Sequence, residues 1–272
     1  TRQATSVPIN TTWATDPRGA TVMAEKVSSV ATADDYRVYF TSGGSEAVES
    51  AWKLGREHYV ALGQPQRRKA IARRVAYHGV TLGALSFTGI PTFKDDFGPA
   101  PIEVSHVSNT NPFRAPDGDD PAAFCARLLH EVEQAVLTAG PDEVALIIAE
   151  PVQNAGGSIT PPPGYWTGLR EIADRYGILL MADEVITGFG RIGEFFASSR
   201  EGVAPDLISG AKGLTSAYAP TRAVLAREKG TAPLTEGAGR VFRHGITFAG
   251  HPLSAVIALK NIEIFERDRV LE

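Results

Sequence analysis

Two apolar runs, Val-Ala-Leu-Ile-Ile at 144–148 and Ile-Leu-Leu-Met at 178–181, constrain this chain more than any other feature. They are continuous rather than alternating, as expected of strands covered on both faces of a parallel sheet. Between them Trp166, Leu169, Ile172 and Ala173 recur at helical spacing, and Gly177 supplies a helix stop. The unit is a strand, a helix and a strand. Shorter runs at 38–41, 70–72, 102–104, 207–208 and 223–225, with helical patterns between most of them, repeat it. The expectation is an α/β fold whose ligand sits at the carboxyl ends of the strands.

Composition narrows the partners. With 272 residues and 43% hydrophobic content the chain can bury the core of one large domain or two small ones, and it reads as soluble and globular. Lys+Arg 27 against Asp+Glu 31 leaves a net charge of -4, so no basic excess points to nucleic acid and no polybasic tract to a lipid surface. No apolar run approaches the ~20 residues of a membrane span and no signal peptide opens the chain, so a cytoplasmic location is expected. Cys125, the single cysteine, excludes an internal disulfide framework, and its apolar surroundings point to helix packing. His58, His106, His130, His244 and His251 have no ligand spacing, and no metal is expected. Small molecules or another subunit remain as partners. The chain opens on Thr1 and stops inside a helix-like stretch, so a fragment of a longer protein is expected.

Two strand ends carry the candidate chemistry. Lys212 closes the segment 204–212 after an apolar strand, where partial desolvation would lower its pKa and leave a neutral amine able to attack an aldehyde. Asp183 follows four apolar residues on a buried strand and could cap a turn or keep a pyridine nitrogen protonated. Glu184 should point the opposite way and be structural. An imine-forming amine and a carboxylate for a ring nitrogen are the two groups a pyridoxal-phosphate enzyme must supply. Gly43-Gly44-Ser45-Glu46 opens a helix and reads either as a phosphate cradle or as an ordinary capped turn. Tyr77 and Val185 could cover the two faces of an aromatic ring or simply pack in the core.

Two other motifs compete. Gly43-Gly44-Ser45-Glu46-Ala47 nearly matches a nucleophile elbow, with Asp183 and His251 following in hydrolase order, but the last glycine is Ala47 and no His-Gly-Gly loop precedes it. Gly188-Phe189-Gly190-Arg191-Ile192-Gly193 fits the dinucleotide fingerprint and has Asp206 downstream. Residues 194–200 allow only a short helix after it, too little to aim a dipole at a pyrophosphate.

Taken together, the segments at 40–49, 77–79, 149–152, 183–191, 211–214 and 247–252 strongly resemble the class III (omega) aminotransferases of pyridoxal-phosphate fold type I, in order and spacing. The resemblance implies a three-layer α/β/α sandwich with a mostly parallel sheet. It implies pyridoxal 5'-phosphate as cofactor, attached to Lys212, which then acts as the proton-transferring base, with Asp183 on the pyridine nitrogen. Gly44 and Ser45 would hold the phosphate, Tyr77 would stack on the ring, Val185 would pack beneath it, and His78 and Glu150 would belong to the cofactor pocket. Thr247 would reach the phosphate of a neighbouring subunit, implying a homodimer with shared active sites. Residues 1–250 would form the large domain, and the helix at 251–272 would lead toward a small domain outside this chain. The implied reaction moves an amino group from a small-molecule amine donor to a keto acid acceptor such as pyruvate. Aminomutase, decarboxylating transaminase or racemase chemistry on the same scaffold, and an inactive cofactor-binding fragment, stay open as alternatives. Ile186 stands where the ornithine and acetylornithine branch has glutamine, which directs the expectation to amines and omega-amino acids. The stretch 216–222 replaces a more glycine-rich one.

Overall fold

The computed structural model describes residues 18–235 and 242–272. Its centre is a seven-stranded sheet of β1 (Tyr36–Thr41), β2 (Lys69–Arg73), β3 (Val104–Val107), β4 (Val144–Ala149), β5 (Leu179–Glu184), β6 (Leu207–Gly210) and β7 (Arg222–Arg227), in the order β1-β7-β6-β5-β4-β2-β3. The pairs β3-β2, β2-β4, β4-β5 and β5-β6 are parallel, whereas β7 is antiparallel to both β6 and β1. A mostly parallel sheet was expected, and the two apolar runs form its middle. Every residue of β4 and β5 is buried.

Strand alternation divides the core in two. Ile71, Ile147, Leu180, Ile208 and Leu225 face one side, where they pack against α1 (Arg18–Ser29), α4 (Pro121–Ala139), α5 (Tyr165–Arg175) and α8 (Pro252–Arg267). Ala70, Leu146, Met181, Leu207 and Val224 face the other, against α2 (Gly44–Ala61), α3 (Leu82–Phe87) and α7 (Glu228–Thr235). The result is the three-layer sandwich. Each fully buried aliphatic side chain in these layers contributes roughly 1.5–3 kcal/mol. Cys125 is buried in α4, as its surroundings indicated, and burial pushes its thiol pKa up.

Local signals set the helix ends. Asp120 accepts hydrogen bonds from the Ala122 and Ala123 N–H groups, with Pro121 at the first position of α4. Gly177, at φ +62, terminates the turn after α5 in the left-handed region that glycine adopts without strain. One expectation needs adjustment. The strand expected at 102–104 lies at Val104–Val107, because its pairing with Ala70–Arg73 of β2 sets the register rather than its own composition. The stretch between β3 and α4 contains a 3-10 turn at Pro112–Arg114, capped by the Asn111 side chain accepting from Phe113 N–H at 3.0 Å.

Candidate active site

The parallel strands all end on one edge. The carboxyl ends of β2, β4, β5 and β6 deliver Tyr77, Glu150, Asp183 and Lys212 there, and the amino terminus of α2 faces them. Among the described residues these groups share a cleft of about 180 Å³, lined also by Gly44, Ser45, His78, Val185 and Ile186. Of the nine expected site residues, eight therefore come together. Thr247 does not: it lies exposed in a turn and is absent from the lining of this chain's cleft.

Asp183 is held on three sides. His78 Nδ1–H donates to its Oδ2 at 2.7 Å, and Ser209 Oγ and the Val185 N–H donate to its Oδ1 at 3.0 and 3.2 Å. A carboxylate can only accept, so this contact assigns the His78 proton to Nδ1. His78 Nε2 is buried without a partner. Glu184 points the other way, as strand alternation requires. Its carboxylate accepts from Thr187 Oγ1, Ala197 N–H, Ser198 N–H and Ser198 Oγ, so it caps the four-residue helix α6 (Ala197–Arg200) and stays out of the cleft.

Lys212 follows β6 with φ +37, a left-handed conformation that side-chain-bearing residues adopt only at a conformational cost of about 1–2 kcal/mol. Burial lowers its pKa from the ordinary lysine value; the nearby Asp183 charge opposes that shift and the Arg222 guanidinium adds to it. Among the described residues its amine has no hydrogen bond or ion pair. Glu150, buried on the opposite wall, accepts from the Tyr77 and Asn154 N–H groups at 3.2 Å each, and burial raises its pKa.

The turn before α2 is organised by Glu46, which accepts from the Ser42 and Gly43 N–H groups at 2.9 and 2.8 Å. The first N–H groups of the helix have no intrahelical partner and open onto the cleft. Ser45 Oγ accepts from the Val80 N–H at 3.0 Å, tying the loop after Tyr77 to the same helix end. Gly79 makes that approach possible: a Cβ there would meet Ser45 Oγ at 2.5 Å, at a φ of +126.

The competing motifs fail on geometry. Ser45 and His251 do not flank Asp183, whose histidine is His78; His251 Nδ1 accepts from the Leu253 N–H and caps α8. The glycine-rich segment at 188–193 leads only to α6, and Asp206 is buried, accepting from Arg170 and from the Leu180 N–H. Cleft residues not anticipated are Val152, Thr187 and Arg222, together with Ser209 behind Asp183. Arg222 begins β7, and only the antiparallel return of that strand carries it to the edge that holds Lys212.

Comparison with known proteins identifies the family of the chain. The aminotransferase class-III family model matches residues 2–272. A probable aminotransferase of Mycobacterium tuberculosis is 46% identical over 267 residues, covering 98% of this chain and 57% of that protein. The putrescine–pyruvate aminotransferase of Pseudomonas aeruginosa is 38% identical, covering 100% of this chain and 59% of that protein. The crystal structure of an (S)-enantioselective omega-transaminase from Thermomicrobium roseum superimposes with a TM-score of 0.94 at 39% identity, over 98% of this chain and 60% of that one. An amine transaminase from an uncultivated Pseudomonas species, in its PLP-bound form, gives 0.95 at 36% identity, over 98% and 62%. The chain thus spans about 57–62% of the length of these relatives. Matched by the family model over nearly all its residues, the chain belongs to the class III aminotransferases.

Proposed function

We propose that the protein to which this chain belongs is a pyridoxal-phosphate-dependent aminotransferase that moves an amino group from an amine or omega-amino acid to a keto acid such as pyruvate. The observation that carries this reading is the facing of Lys212 and Asp183 across one cleft whose third wall is the amino terminus of α2. The residues fit the cofactor: a partnerless amine of lowered pKa, a carboxylate fixed by three donors, unpaired helix N–H groups, and a glycine at 79 where a Cβ would obstruct the cradle.

In this reading Gly44 and Ser45 bind the phosphate, Asp183 holds a proton on the ring nitrogen, and His78 orients Asp183. Tyr77 and Val185 flank the ring, and Glu150 belongs to the pocket wall. Bound there, the cofactor supplies an electron sink for charge developing on the substrate carbon. Lys212 Nζ would hold the cofactor at its aldehyde carbon, with release of water, and, once displaced by the substrate amine, would carry the proton at the substrate carbon. Exposed Thr247 is assigned to the phosphate of a second subunit, giving a homodimer with shared active sites. Residues 1–250 are assigned to the large domain and 251–272 to the connection with a small domain. Apolar Ile186 in the cleft and the putrescine-using relative support amine donors, and the single cysteine supports a reducing, cytoplasmic setting.

In the full-length protein, added pyridoxal 5'-phosphate should produce the visible absorbance of lysine-bound cofactor, and pyruvate with an amine donor should yield alanine. Lys212→Ala should abolish both. An unchanged absorbance in that variant would overturn the reading.

A further inference from the structure

Arg222 is a cation facing the cleft with no counter-charge paired to it among the described residues. Its Nε is buried with no hydrogen-bond partner, and the Nη1 group donates only to the carbonyl of the adjacent Thr221, at 2.7 Å. No carboxylate pairs with it among the described residues. Placement adds to this. Register pairs Arg222 with Thr41, the last residue of β1 before the turn that opens α2, while the next residue, Ala223, pairs with Gly210, two before Lys212. The backbone of Arg222 is therefore placed between the strand that leads to α2 and the strand that leads to the lysine, and its side chain lines the same cleft as Gly44, Ser45 and Lys212.

A half-buried guanidinium with unused donors is stabilised by an anion that enters the site, because planar N–H pairs match an oxyanion and desolvation strengthens the contact. We propose that Arg222 is an oxyanion-binding residue of this cleft, holding either the carboxylate of an acid substrate or the phosphate of the cofactor. Both sources offer the same recognition chemistry: a singly or doubly charged group of coplanar or tetrahedral oxygens. This inference rests on the proposed function for the identity of the anion, and on the geometry alone for its charge.

The test compares Arg222→Gln and Arg222→Lys with wild type in the full-length protein by calorimetry. The ligand pairs are pyridoxal 5'-phosphate against pyridoxal, and propionate against propionamide. Loss of one charge-assisted contact should weaken an anion about tenfold or more in Arg222→Gln and leave its neutral partner unchanged, with partial recovery in Arg222→Lys. Weakening confined to pyridoxal 5'-phosphate assigns the phosphate; weakening confined to propionate assigns the substrate carboxylate. Equal affinities in Arg222→Gln and wild type, or equal losses for charged and neutral ligands, would overturn the proposal. A wild-type protein that shows no lysine-bound cofactor absorbance yet binds these anions through Arg222 would sink the functional reading and leave this inference standing.

Discussion

His78 Nδ1 lies 2.7 Å from Asp183 Oδ2, so a histidine from the loop after β2 fixes a carboxylate on β5, 105 residues away in sequence. The contact is buried on both sides. Its consequence is positional: the carboxylate cannot rotate away from the cleft while the Ser209, Val185 and His78 donors hold it. Asp183→Asn in the full-length protein should lower kcat/KM by roughly 10²–10⁴-fold. His78→Ala, which removes one charge-assisted bond of about 1.5–3 kcal/mol, should lower it by roughly tenfold to a hundredfold. Steady-state kinetics check both, and equal losses in the two variants would contradict the assigned roles.

Lys212 should titrate low. Burial and the Arg222 charge outweigh the pull of Asp183, so the amine becomes neutral at a pH below the ordinary 10.5. The rate at which the cofactor-free protein captures pyridoxal 5'-phosphate should rise with pH, with its midpoint below that value. Between the lowered pKa and the ordinary one the unfolded chain holds the extra proton, so stability of the cofactor-free protein should also rise with pH there. Lys212→Met should remove that slope in denaturant unfolding followed across the same window.

Gly79→Ala should disturb the cradle. The new Cβ would stand 2.5 Å from Ser45 Oγ and 2.9 Å from Ala84 Cβ, at a φ of +126. Strain of about 1–3 kcal/mol is expected. Urea unfolding should report it, with a parallel loss of cofactor affinity. A variant as stable as wild type would show that the loop can move aside.

Glu184→Ala should destabilise the chain although the carboxylate itself lies outside the cleft, and it also releases Thr187 of the cleft lining. It strands two backbone N–H groups, at Ala197 and Ser198, and two hydroxyls that donate to the carboxylate. A loss of about 3–5 kcal/mol is expected in denaturant midpoints.

Ser216 and Ala217 occupy left-handed conformations, at φ 47 and 65, shortly after Lys212. The Ser216 hydroxyl donates to Asn261 Oδ1 at 2.7 Å, whereas Ala217 has no such compensation. Ala217→Gly should therefore stabilise the chain by about 1 kcal/mol, read as a rise in melting temperature.

Much of this molecule is legible in its amino-acid order alone. Continuous apolar runs at 144–148 and 178–181 determine buried parallel strands, because a residue pointing to either face must meet a covering helix. The opposite aims of Asp183 and Glu184 follow from the two-residue period of a strand. Lys212, Asp183, Gly44 and Ser45 can be picked out because each sits at the end of a recognisable strand or at the start of a helix. What the sequence could not supply was anything set by pairing across the sheet. The span of β3 depends on β2, and the partner of Asp183 is His78, whereas the hydrolase-like chain order would have named His251. Arg222 faces Lys212 only because β7 returns antiparallel between β1 and β6. Local periodicity is written residue by residue, while these contacts join residues far apart in the chain, and only the closed sheet decides which of them meet.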